Sequence, residues 1–171
     1  MLIREVIKSL RTDRTEIGLK NLPTWTDIGL APIGFAIYLI LAVTLTQLLV
    51  TTKGQASTIP MFTNSLDGAL YFINVVVLIP IAEEIIFRGW LYGKLRQLFL
   101  SKLSDAASMV VSTAIVSLLF GFLHGEWSAT VNMFSMSVIL CGMREITGTI
   151  YSGTLMHILK NAVAFCVIMF A

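Results

Sequence analysis

Asn74-Val-Val-Val-Leu-Ile-Pro-Ile-Ala-Glu83-Glu84-Ile-Ile-Phe-Arg88-Gly89 is the stretch on which both the fold and the chemistry of this chain turn. It is apolar enough for the interior of a bilayer, yet two adjacent glutamates sit inside it. A carboxylate there costs about 2.5 kcal/mol or more on insertion scales, so an ionisable residue within a span marks a functional site. Two of them side by side call for partners, and the rest of the chain can be read for residues able to supply them.

The composition fits that setting. The chain is 56% hydrophobic and only 13% charged, about half the charge of a soluble domain, with a mean hydropathy of +0.84. A polytopic all-α membrane protein follows. The net charge of +2 is too small to suggest nucleic acid as a partner. Cys141 and Cys166 form no CxxC pair, which excludes zinc-ribbon and thioredoxin-like sites. Both lie in apolar runs and are expected to be reduced, buried packing residues. The many methionines and phenylalanines read as packing material.

Outward from the glutamates, the chain divides into about five apolar helices. Residues Leu2, Ile3, Val6, Ile7 and Leu10 recur at helical spacing between Arg4, Lys8 and Arg11. This pattern predicts a basic amphipathic helix lying on the membrane surface. No continuous apolar core follows it, so no cleavable signal peptide is expected. Trp25 is placed to anchor at the interface. Residues 1–27 thus form an amphipathic segment and 28–171 a transmembrane domain. The spans are predicted at about Ile28 to Val50, Leu66 to Leu100, Ala106 to Leu123, Thr130 to Met143 and Thr149 to Ala171. A polar loop with Lys53, Gly54 and Pro60 follows the first, and Gly125 suits the stop of the third. Pro80 has no N–H, so an α-helix there would leave the Val76 carbonyl without its donor and kink. The basic amino end and Lys94, Arg96 and Lys102 argue for one cytoplasmic face. A simple count then puts His124 near the opposite face but Glu83 at mid-span.

Only two histidines occur, both in or at the end of apolar helices. His157 and Asn161, four residues apart, project from one helical face. Glu84 and Arg88 share that spacing and predict an ion pair along their own helix. Glu83 is about 100° round from Glu84 and faces elsewhere, free to address a cavity. Removing water from a carboxylate disfavours its charged form and makes it a stronger base. An imidazole beside it can relay the proton, and an amide with a second imidazole can donate to an oxyanion. These parts suffice for peptide-bond hydrolysis without a covalent intermediate. No GxSxG elbow is present. His124-Gly-Glu126 is not followed by the Pro-Cys-x-x-Cys of zinc deaminases, and there is no HExxH.

Glu-Glu-x-x-x-Arg, then Phe-x-x-x-His, then His-x-x-x-Asn, in order on successive apolar helices, resembles the CPBP family over roughly residues 70–171. These are the type II CAAX prenyl endopeptidases and bacteriocin-processing enzymes, also called the Abi family. The resemblance implies an intramembrane glutamic endopeptidase. It implies that Glu83 and His124 activate a water, that His157 and Asn161 stabilise the oxyanion, and that Glu84 and Arg88 support them. It implies no cofactor, while an older reading of the family makes Glu83, His124 and His157 ligands of zinc or another divalent metal. The partners implied are membrane lipid and a peptide substrate in the cytoplasmic membrane of a prokaryote. With fewer spans than eukaryotic relatives, a homo-oligomer could complete the groove. Rival readings are a non-catalytic bacteriocin-immunity protein and a proton-coupled transporter. The transporter is disfavoured by the lack of an inverted repeat.

Overall fold

The computed structural model describes residues 17–19, 22–51 and 65–170. The predicted surface helix of residues 1–16 and the loop around Lys53 and Pro60 lie outside them. All regular structure among the described residues is helical. There are five long helices: α1 (Trp25–Leu49), α2 (Ser65–Leu100), α3 (Asp105–Phe122), α4 (Trp127–Thr147) and α5 (Tyr151–Phe170). Helices α1, α2, α3 and α5 are long and apolar enough to cross a membrane. Helix α4 is long enough, but Thr130, Asn132, Ser135, Ser137, Arg144 and Glu145 dilute its apolarity. It packs against α1, α3 and α5. The expected all-α bundle of about five helices is observed, and four of the five are apolar enough to cross a membrane by length and composition.

The core joins α1 (Tyr38, Ala42), α3 (Phe120), α4 (Met133, Met136, Leu140, Met143) and α5 (Met156). Outward faces carry Ile33, Ile40, Leu48, Val110, Leu118 and Val167, all exposed, as hydrocarbon solvation requires. Cys141 is buried, but Cys166 is exposed on α5, against expectation. In a membrane helix an apolar run faces lipid as readily as core, so apolarity alone does not indicate inward orientation. Trp25 is 87% exposed at the start of α1, where an interfacial anchor belongs. A capping box fixes that start. Thr24 Oγ1 accepts from the Asp27 N–H, and Asp27 Oδ2 accepts from the Thr24 N–H at 2.9 Å. The other Asp27 oxygen accepts from Thr149 Oγ1 at 2.9 Å, tying α1 to the α4–α5 turn.

Helix α2 absorbs its proline by widening. Ile73–Leu78 and Ile85–Leu91 are π-helical, a form that concentrates at functional sites. In the first of them the Ile79 N–H donates to Asn74 O, five residues back. The next donor in that register would be the nitrogen of Pro80, directed at Val75. The carbonyl left without a helical donor is therefore that of Val75, not Val76. Asn161 on α5 supplies the bond, Nδ2 donating to Val75 O at 2.9 Å.

Depth along the bundle is settled by the unequal helices. Helix α3 folds back along the second half of α2, and its 18 residues rise about 27 Å. Phe120 meets Phe87 at 5.0 Å between ring centroids, so the next turn, with His124, is level with Glu83. The chain turns there at Gly125. A methyl group on Gly121 would lie 2.8 Å from the Thr130 carbonyl oxygen of α4, so α3 and α4 meet there through backbone. Glycine to alanine within a helix ordinarily gains about 1 kcal/mol. Here Gly121→Ala is expected to lower the thermal unfolding midpoint in detergent, and an unchanged or raised midpoint would contradict this close approach.

Candidate active site

Helix α2 delivers the two carboxylates at its centre, between the π-helical segments. The 100° step between neighbours sends them apart. Glu84 is fully buried, and its Oε1 accepts from Arg88 Nη1 at 2.9 Å, with neither side chain exposed. This is the predicted i, i+4 pair. The Arg88 guanidinium also lies over the Phe120 ring, 4.4 Å from its centroid, a geometry suited to cation–π attraction. Glu83 keeps 26% of its side chain exposed, so it is the accessible carboxylate.

His157 stands between them. Its Nδ1 lies 3.1 Å from Glu84 Oε1, and its Nε2 lies 3.6 Å from Glu83 Oε2. The first is a hydrogen bond. The second exceeds one and leaves an ionic contact or room for a bridging water. Glu84 fixes the orientation of the imidazole as a carboxylate does in other histidine sites: with Nδ1–H donated to Glu84, Nε2 is directed toward Glu83. The resemblance pairs His157 with Asn161, which lie one turn apart on α5. His157 bridges the carboxylates, while Asn161, one turn on, bonds to the Val75 carbonyl. Both reach α2 from the same face of α5.

His124 is exposed just past the end of α3, with Nδ1 2.8 Å from Phe120 O. Its ring packs on Phe120 at 4.9 Å between centroids, and Phe120 in turn packs on His157 at 6.1 Å. Phe120 thus stands between the two histidines. Among the described residues no three His, Cys, Asp or Glu side chains are grouped as a metal site requires.

Gly153 is a contributor that motif reading missed. A Cβ on it would lie 3.3 Å from Glu84 Oε2, so the missing side chain makes room for the buried carboxylate. The signal was present, since Gly153 precedes His157 by four residues and shares its helical face. Lys160 Nζ lies 3.9 Å from Met133 Sδ.

An acid pair of unequal exposure is thus bridged by a histidine inside an apolar helix bundle. A family model described as Rce1-like, type II CAAX prenyl endopeptidase, matches residues 65–163, more than half of the chain. The chain belongs to this family, and at that level it is a CAAX-type membrane peptidase. No curated protein and no solved structure matches it.

Removing one partner of a buried ion pair leaves an uncompensated charge and costs about 3–5 kcal/mol. Arg88→Met should therefore destabilise strongly. The double variant Glu84→Gln with Arg88→Met should recover a large part of the loss. Denaturant unfolding in detergent reads both, and equal losses in the single and double variants would refute the pairing.

Proposed function

We propose that the chain is an intramembrane glutamic endopeptidase in which Glu83 is the general base. The observation that carries this reading is the bridging His157, which sets an accessible carboxylate apart from a buried, charge-paired one. Glu84 with Arg88 holds the imidazole and carries no proton in the reaction. Glu83 takes a proton from a water molecule, with His124 its partner at the same depth. The resulting hydroxide attacks the substrate carbonyl carbon, and the carbonyl electrons move to oxygen. The second N–H of Asn161 Nδ2 and, in the doubly protonated ring, Nε2–H of His157 donate to that oxyanion. As the C–N bond breaks, the proton held by Glu83 passes to the leaving amine. A single oxyanion donor is worth about 2.7–4 kcal/mol in a comparable enzyme.

No metal is required in this scheme. The older metal-ligand reading would need His124 to leave its bond to the Phe120 carbonyl and join Glu83 and His157. Binding without catalysis, the immunity-type alternative, has no need of an accessible carboxylate beside an oriented imidazole.

Membranes carrying the wild type or Glu83→Ala, matched in expression, should differ in their protein N-termini. New termini found only with the wild type would identify the peptidase and its substrates together. Identical profiles would overturn the proposal, and protection that survives Glu83→Ala would favour binding. Once cleavage is established, chelator treatment is expected to leave the rate unchanged, whereas loss with recovery on added zinc would reinstate a metal.

A further inference from the structure

Ile17, Gly18 and Leu19 close the segment that the sequence assigns to the membrane surface. They also lie outside the residues matched by the family model. Ile17 is nevertheless only 1% exposed. Its carbonyl oxygen would lie 3.0 Å, and its Cβ 3.3 Å, from a Cβ on Gly89. Gly89 is buried in the second π-helical segment, directly after Arg88. Gly18 adopts φ +76°, a conformation that favours glycine, and a side chain on it would meet the Arg144 guanidinium at 2.7 Å. The Gly18 carbonyl accepts from the Ile150 N–H at 3.2 Å, at the head of α5. Ile17 and Gly18 therefore join the π turn that carries Arg88 to the start of the helix that carries His157.

Arg88 needs such support. Nη1 holds Glu84, and among the described residues Nε and Nη2 have no hydrogen-bond partner. The guanidinium is thus located by its bond to Glu84, by the rings of Phe120 and Phe87 and by its own backbone. That backbone is π-helical, a rare form found mostly as single turns within α-helices. Displacing residue 89 displaces Arg88, and through Glu84 it turns the imidazole of His157.

We propose that residues 17–19 are a strap that seats the Ile85–Leu91 turn against the head of α5, making Ile17 and Gly89 positioning residues for the Glu84–His157 pair. The inference rests on the reading of that pair as part of the reactive centre, but its docking can be tested apart from cleavage.

The chain has two histidines, so imidazole-¹⁵N labelling of the full-length protein gives two sets of signals, and His124→Gln assigns those of His157. Wild type, Ile17→Val and Ile17→Ala would be compared in lipid nanodiscs, with hydrogen exchange read for residues 85–91. Ile17→Val should match wild type. Ile17→Ala should move or broaden the His157 Nδ1 signal and speed exchange at 85–91 by about tenfold, as local opening becomes easier. Wild-type signals and exchange in a folded Ile17→Ala protein would overturn the strap. If Ile17→Ala does not fold, Gly89→Ala carries the same two readouts, with the same result expected and the same result overturning the strap, because its methyl lifts the strap while removing no apolar group. Where Glu83-dependent cleavage is established, kcat should fall about tenfold at nearly constant KM, as expected for loss of alignment. A moved His157 signal with unchanged kcat would also overturn the positioning role. If the wild type cleaves nothing, the peptidase reading fails, and the resonance and exchange results still decide the strap.

Discussion

The burial of the Glu84 carboxylate is the constraint on which the rest of the structure depends. In a medium of low dielectric an ionised group persists only when paired and hydrogen-bonded. Arg88 provides the pair from the same helix, and His157 provides a second donor from α5. Gly153 leaves the space, and Phe120 offers its ring face to the guanidinium. Four of the five helices take part: α2, α3 and α5 by these side chains, and α4 through Leu140, which packs beside Gly153. The arrangement spares Glu83 a structural task. One carboxylate fixes an imidazole, and the other faces the partly open side of the site.

The geometry of α2 follows from a similar accounting of backbone groups. Inside a bilayer every carbonyl must find a donor, and Pro80 withdraws one. Widening to a π-helix moves the shortfall to Val75, where Asn161 can reach it. Asn161 therefore has a structural bond through one N–H and a second N–H to spare. In the same helix turn His157 meets the glutamates. A proline on one helix and a His-x-x-x-Asn motif on another are thus parts of one docking surface, which brings His157 and Asn161 of α5 onto the widened middle of α2.

Much of the site was legible in spacing. The four-residue intervals Glu84–Arg88, Phe120–His124 and His157–Asn161 each correspond to an interaction in the structure or to a shared helix face. The helix boundaries followed apolar runs closely, with α4 longer at both ends than its apolar portion suggested. Periodicity failed where the environment, not the local sequence, decides the outcome. Cys166 and Cys141 sit in equally apolar runs, yet one faces outward and the other inward. Ile17 looks like part of a surface segment and is buried, because only the folded bundle creates the cleft beside Gly89 that receives it.

By itself the sequence determined that the chain is a membrane helix bundle and that Glu84 pairs with Arg88. These are consequences of hydropathy and the 3.6-residue repeat, both local properties. Tertiary structure alone decided that His157 bridges the two glutamates, that Asn161 satisfies Val75 and that His124 reaches the level of Glu83. Those outcomes depend on helix lengths, on the shift from α to π register and on how α3 and α5 lie against α2. No local pattern encodes such distances between residues remote in the chain.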